Sequence, residues 1–384
     1  MKQYLTSKNL VKCIVAVCFL ALFACAIVWA NSDQPESGIT DTAGTEYEIA
    51  RVLEILQDKT VVDDTIEGRL RGSMKLRLEI LTGRYAGDVV NVTNYFSAMY
   101  NVDVGVGDTL SIRVDTTGLR EYQVSIYNYN RIPWIIGMVA LFCLALVIIG
   151  GWQGFRALVG LAFTFVCVVW LLLPLSLKGW DTVPLTVALV AVTSTVCFYL
   201  LGGWQTKMIS AALGTLCGVV IAALLGQLAI QLLNVTAYTM DEAEGLILAR
   251  YDTGLKLNGL LLSGILIAAE GAVMDTSMTV ASAMSELKEK RPDIGTMELL
   301  RSGMSIGRDA TGTMANTLIL AFTGSSLNMM VLIYSYHVSF IQLMNTDYIA
   351  VEVVRAVAGT MGVILTVPCV AAISAVLLTK KKKK

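Results

Sequence analysis

Apolar runs long enough to cross about 30 Å of hydrocarbon recur along this chain, and nothing else in it constrains the fold so strongly. There are eight: Cys13–Ala30, Trp134–Gly150, Phe155–Leu175, Val183–Leu201, Met208–Leu233, Leu257–Ala283, Thr313–Tyr336 and Ala356–Leu378. An isolated segment in lipid satisfies its own backbone only as a helix, so each run is expected to be an α-helical span. Hydrophobic residues make up 55% of the 384 positions and charged ones 15%, which excludes a disordered chain and an ordinary soluble enzyme. A formal net charge of −1 disfavours a nucleic-acid partner. The cysteines, at 13, 18, 25, 143, 167, 197, 217 and 369, all fall in apolar runs without metal-ligand spacing, so no disulfide framework, zinc site or other cofactor is expected.

Charge is concentrated in residues 31–132, which hold 16 acidic and 10 basic side chains. There the pattern changes to alternation, as in Tyr47–Leu53 and Met74–Ile80, the period of a half-buried strand. Further strands are expected at Asp88–Thr93, Thr109–Val114 and Glu121–Tyr127, with turns at Gly83, Gly87, Gly105, Gly107 and Gly118. Five short strands suit a small closed all-β barrel of OB type, an open sandwich being the other solution. The fold class is therefore a polytopic α-helical membrane protein with a small OB-like barrel. Its parts are residues 1–30 as anchor, 31–132 as the β domain and 133–384 as a seven-helix bundle.

Lys and Arg in the short loops set the orientation. With the N-terminus inside, Lys2, Lys8, Lys12, Arg156, Lys207, Lys288, Lys290, Arg291, Arg301, Arg308 and Lys380 to Lys384 collect on the inner side; only Lys178, Arg250 and Lys256 lie in short outer loops. Both termini are thus expected in the cytoplasm, with residues 31–132 outside. The first run has two readings. It is an uncleaved anchor, or a signal segment with Val28 and Ala30 before a cleavage point at Asn31, which leaves seven spans. Gly150-Gly151-Trp152-Gln153 and Gly202-Gly203-Trp204-Gln205 are alike, each followed by a base. Helix ends with interfacial tryptophans account for this, and so does duplication of a two-helix unit.

The informative chemistry lies between Leu257 and Tyr336. Asp275, Thr279 and Ser282 are spaced i, i+4, i+7, and Asp309, Thr313 and Asn316 repeat the spacing, so each triplet shares one helical face. Two such faces on antiparallel neighbours are expected to oppose one another as a polar seam between spans six and seven. A carboxylate at a helix centre costs roughly 2.5–3.5 kcal/mol on translocon scales and persists where it faces a bundle interior or aqueous cavity. Glu270, half-way along its span, is the foremost candidate for a proton- or cation-binding group, and Arg308 beside Asp309 offers a neutralising charge. Against this stands the reading that small and hydroxylated residues are interhelical glue and that Asp275, Arg308 and Asp309 mark where helices meet water. Glu352 and Arg355 have the spacing of an i,i+3 ion pair, and His337 is expected to be solvated in an outer loop.

An enzyme is not expected. Asp275-Thr276-Ser277 spells the triplet of soluble aspartyl proteases, but Gly307-Arg308-Asp309 lacks the Gly-x-Gly-Asp turn of intramembrane ones, and no His-Glu-x-x-His or phosphate loop occurs. Residues 286–302, with Pro292 and the amphipathic Met297–Arg301, read as a solvated loop that could dock a cytosolic or membrane protein.

The runs Glu270–Met278 and Gly307–Leu318, the latter continuing to Phe322–Leu327, resemble the YibE/F-like bacterial membrane proteins. The layout of one N-terminal span, an outer β-rich domain and a multi-span bundle is similar too, extending the likeness over nearly the whole chain. The resemblance implies a bacterial plasma-membrane location and no mechanism. The expected function is a transporter or channel-like protein that passes a small solute or ion through the lipid bilayer. The alternative is a non-transporting envelope protein whose outer domain binds a ligand or partner while the bundle anchors it.

Overall fold

Alternation of apolar and polar residues decides the fold of the segment before the long helices. In the computed structural model, which describes residues 7–32, 44–116, 122–236, 238, 243–257 and 259–380, this segment forms β1 (Thr45–Asp58), β2 (Val61–Val62), β3 (Leu70–Ile80), β4 (Val89–Phe96), β5 (Thr109–Asp115) and β6 (Gln123–Tyr129). The sheet is antiparallel, in the order β2-β3-β1-β5-β6, with β4 on the other side of β3. Met74, Leu76, Leu78 and Ile80 of β3 point inward at every second position, against Val52, Val92, Ile112 and Val114. Register shifts in the β1–β3 ladder after Val52 and Ile55 bend the long β1 and curl the sheet. Tyr122 stacks on Tyr85 at 4.1 Å and donates to Asp88 at 2.6 Å, drawing the start of β6 toward that of β4. No ladder joins β4 to β6 among the described residues, so the closed OB-like barrel expected from strand count is corrected to a curled half-barrel. Strand number is legible from alternation; closure needs edge pairing, which alternation does not encode. Gly118 and Glu121 lie outside the described residues.

Among the described residues, one acid is buried in this unit. Asp63 accepts from the Thr65 hydroxyl at 2.5 Å and the Thr65 amide at 2.8 Å, while Arg71 Nε donates to its other oxygen at 2.5 Å. These bonds favour the ionised form, the Thr65 hydroxyl most, and hold the carboxyl at about pH 2, below its ordinary value.

The chain divides into two compact units, Thr40–Ala145 on one hand and Met1–Ile39 with Leu146–Lys384 on the other. The helices are α1 (Ser7–Asn31), α2 (Ile132–Cys167) continuing through a π-turn into α3 (Leu173–Leu177), α4 (Thr182–Gly202), α5 (Thr206–Leu232), α6 (Ala243–Asp252), α7 (Leu260–Lys290), α8 (Thr296–Ser325), α9 (Leu327–Ser335), α10 (Phe340–Met344) and α11 (Asp347–Thr379). Among the described residues, five stretches are long and apolar enough to cross a membrane: Ile132–Leu177, α4, α5, α7 and α11. The pair α8 and α9, bent by 59°, makes a sixth if it is one span; α1 adds the shorter apolar stretch Ala21–Asn31. The sequence reading of eight spans is therefore not matched. Trp134–Gly150 and Phe155–Leu175 belong to one helical run, broken where Gly151 takes φ 54° and ψ −136°. The break is sharp. Gly154 abuts the carbonyl of Leu146, which in a straight helix would be about 12 Å away. Gly203, at φ 67°, likewise ends α4, so both Gly-Gly pairs terminate helices.

Span seven departs from expectation as well. It starts not at Thr313 but at Thr296, so 296–302 is helix rather than solvated loop, and it breaks at Ser326. Leu299 and Ile294 are buried against Met284, Val370 and Ala371, and Lys288 Nζ ties the intervening turn by donating to the carbonyls of Pro292 and Ile294. Two apolar residues after Pro292, Ile294 and Leu299, found a core, which a reading based on mixed charge overlooks.

The bundle is centred on α5 and α11. Gly214, Gly218, Ala222 and Gly226 recur at every fourth position of α5, a stripe that lets backbones approach closely. A Cβ on Gly214 would lie 2.6 Å from that of Val370, one on Gly226 would lie 2.5 Å from Leu262 Cδ1, and Gly218 faces the Thr366 hydroxyl. The reciprocal contact is Gly362 on Ala222. The first helix docks on the α2–α3 run through Phe23 on Phe163 at 4.9 Å, Asn31 Nδ2 donating to the Trp170 carbonyl, and Lys178 donating to the carbonyls of Trp29 and Ser32.

Two outcomes follow. Gly214→Ile should destabilise the purified protein by about 1–3 kcal/mol through overpacking, read as thermal unfolding in detergent, whereas Gly264→Ala, which meets open space, should stay within about 0.5 kcal/mol. Because the folded-state value of Asp63 lies below the unfolded one, its contribution is present above about pH 4 and is lost as pH falls toward 2. Acid unfolding of the β unit, followed by circular dichroism, should flatten over that window in Asp63→Asn.

Candidate functional site

The polar residues of α4 are regularly placed. Thr182, Thr186 and Thr193 recur at steps of four and seven, so they share one face, and all three are buried. On α7 the steps are of seven, Ser263, Glu270 and Ser277, also buried on one face. These faces meet. Thr193 Oγ1 donates to Glu270 Oε1 at 2.5 Å, and the hydroxyl of Thr182 lies 2.7 Å from where Gly259 would carry a Cβ. Both contacts join positions 77 apart, so the two helices run in the same direction in constant register. Thr186 and Ser263, at the same separation, fall at the level between them. Apolar flanks hold this register: Val183, Val187 and Val190 of α4 pack with Leu262, Leu266 and Ala269 of α7.

Glu270 is only 4% exposed and sits about 15 Å below the start of α7. Thr193 can serve either protonation state of it. Its hydroxyl also lies 3.0 Å from the Leu189 carbonyl and 3.1 Å from that of Val190. One hydroxyl proton goes to one acceptor at a time. Facing a carboxylate, Thr193 donates to Glu270; facing a carboxylic acid, it accepts from Glu270 and donates to its own helix. Cys167 and Cys197 lie within electrostatic reach of the carboxyl, and Cys197 Sγ is 3.8 Å from Thr164 Oγ1. Above the site, a cavity of about 410 Å³ opens at the head of α4 and α7, lined by Thr182, Pro184, Gln227, Ile230, Val235 and Leu261 among others. Asp181, on its lining, is paired with Lys256 at 2.9 Å. The hydroxyls of Thr182 and Ser263 are buried with no hydrogen-bond partner among the described residues.

The structure does not assemble the polar seam of spans six and seven. Glu270 turns toward α4, not α8. Asp275, Thr279, Arg308, Asp309, Thr313 and Asn316 are exposed and Ser282 is half-buried. What α7 and α8 pack between them is apolar: Ala272, Val273, Met314, Leu318 and Phe322. The hydroxyls satisfy themselves locally, Thr313 donating to Ala310 and Thr317 to Thr313 carbonyls. Arg308 forms no ion pair with Asp309 among the described residues. Each triplet keeps its common face, but the face turns outward because the opposite one carries the side chains that gain from packing. Glu352 and Arg355 do pair, at 2.6 Å, and His337 is exposed.

Thr182, Thr186, Thr193 and Ser263 were missed by reading outward from aspartates. The signal was present: hydroxyls at steps of four and seven in an apolar run, and a matching step of seven through Glu270.

Fold and site together define a multi-span membrane protein with an ionisable group buried in its helical unit. The family model described as YibE/F-like protein matches residues 138–380, and the chain belongs to that family. Both motif stretches lie inside the match, whereas the half-barrel precedes it, so the likeness covers the helical unit rather than nearly the whole chain. No curated protein and no solved structure matches the chain.

The Thr193–Glu270 contact should be measurable as a coupling. In a double-mutant cycle of Thr193→Val and Glu270→Leu, read by unfolding in detergent, Thr193→Val alone should cost about 1–3 kcal/mol by stranding Glu270, and should cost less in the Glu270→Leu background, where Thr193 donates only to its own helix.

Proposed function

We propose that this protein moves an ion, or a solute coupled to one, across a bacterial plasma membrane, with Glu270 as the group that binds and releases it. The observation that carries this reading is a carboxyl buried where α4 meets α7, held by a hydroxyl that suits both its protonation states. Intramembrane acids are expensive and are retained where they handle charge. The role is non-enzymatic, driven by an ion gradient, the membrane potential or a partner. The pathway follows α4 and α7 rather than the exposed triplets of α7 and α8.

The topology that accompanies this reading has both termini in the cytoplasm and residues 31–132 outside, from the excess of Lys and Arg in the inner loops. The break at Gly151 and the docking of α1 on the α2–α3 run support eight passages in place of six.

A second reading has its own support. Tyr47, Tyr95 and Tyr127 are exposed on the half-barrel, which also keeps unpaired strand edges. Such a surface suits a protein partner, with the bundle as anchor.

Reconstituted into liposomes under imposed proton, sodium or potassium gradients, wild type should give flux above empty vesicles. Glu270→Gln should lower it at least tenfold, and Asp275→Asn should stay within twofold. Absence of flux under every gradient, with the half-barrel capturing an envelope protein, would favour the second reading.

A further inference from the structure

The buried face of α4 does not stop at Thr193. It continues up to the cavity, and its hydroxyls stand level with those of α7: Thr182 beside Gly259, Thr186 level with Ser263, Thr193 on Glu270. The steps along α4 are about 6 and 10 Å. Thr186 hands its proton to the Thr182 carbonyl at 2.8 Å and keeps its lone pairs. Thr182 and Ser263 have no partner among the described residues. Buried hydroxyls with unspent hydrogen-bonding capacity, beside a cavity whose lining includes Asp181 and Gln227, are where water inserts.

We propose that the ion handled at Glu270 is a proton, and that it arrives from the cavity at the head of α4 and α7 along Thr182, Thr186, Ser263 and Thr193. This rests on the transport reading and adds the identity of the ion and its route. A hard metal cation needs several oxygens converging at bonding distance. Glu270 has one oxygen partner among the described residues, Thr193, and the thiols Cys167 and Cys197 are its titratable neighbours. A proton needs no such shell. Water entering the cavity passes Asp181, whose charge is offset by Lys256, and hydrogen-bonds to the hydroxyls in turn. When the proton reaches the carboxylate, Glu270 becomes a donor to Thr193, and Thr193 turns its own proton to the Leu189 carbonyl. No bond other than O–H is made or broken, and each proton gained by Glu270 is one lost by water in the cavity.

The test uses the full-length protein in liposomes loaded with a pH-sensitive dye, with the cavity side facing the bath. Thr186→Val with Ser263→Ala removes two hydroxyls while nearly keeping volume, and should slow proton uptake at least tenfold with thermal unfolding shifted by only a few degrees. Gln227→Cys places a thiol in the cavity. A membrane-impermeant methanethiosulfonate added outside should block its uptake and leave identically treated wild type unaffected. Uptake by the double variant at the wild-type rate, or an unblocked Gln227→Cys, overturns the route. Flux that depends on Glu270 but is carried by sodium or potassium overturns the proton and leaves the transport reading standing. If no ion moves at all, transport fails, and the route is read separately by infrared exchange in D2O. The carboxyl band assigned by its loss in Glu270→Gln should exchange at least tenfold more slowly in the double variant, and equal rates would overturn the route too.

Discussion

A carboxyl surrounded by packed helices in a lipid-bounded unit is the constraint on which the rest depends. Hydrocarbon offers no solvation to an acid, so protein must supply it, and among the described residues Glu270 receives a single hydroxyl, that of Thr193. One donor at 2.5 Å leaves an ionised carboxylate under-solvated and a protonated one adequately placed. That imbalance makes the group responsive to charge and water in its surroundings. A structural acid would carry a salt bridge, as Glu352 does with Arg355.

Such a contact requires helices that cannot slide. The apolar flanks of α4 and α7 hold a common register, and α7 is itself clamped between α5 and α11, whose glycine stripe brings backbones close enough to exclude other arrangements. Val273 belongs to this clamp, near Gly218 and Thr366, and lies one turn from Glu270. Packing between glycines and valines therefore sets the position of a group one turn away. The half-barrel has a separate core, and its buried Asp63 is paired with an exposed Arg71.

Much of this architecture was legible from residues. Alternation in Met74–Ile80 located a strand and its inward face, the apolar runs located the helices, and the two Gly-Gly pairs located helix ends. The interfaces were less legible. Periodicity gives a face for Asp275, Thr279 and Ser282, but whether that face turns inward depends on what competes for contact, and Val273, Val280 and Met284 won. The same arithmetic applied to hydroxyls would have found Thr182, Thr186 and Thr193. It was the emphasis on charged residues, which are conspicuous in apolar sequence, that drew attention to α8. The break at Gly151 falls at the Gly-Gly pair between two apolar runs, whereas the bend at Ser326 is a backbone event with a weak compositional mark.

The in-register pairing of α4 with α7 is open to direct chemical measurement. With the native cysteines replaced, Thr186→Cys/Ser263→Cys should form a disulfide under mild oxidation in membranes, while Thr279→Cys/Thr313→Cys should not. Cross-linking of the second pair and not the first would place the polar faces of α7 and α8 together, turn Glu270 away from Thr193, and contradict the site described.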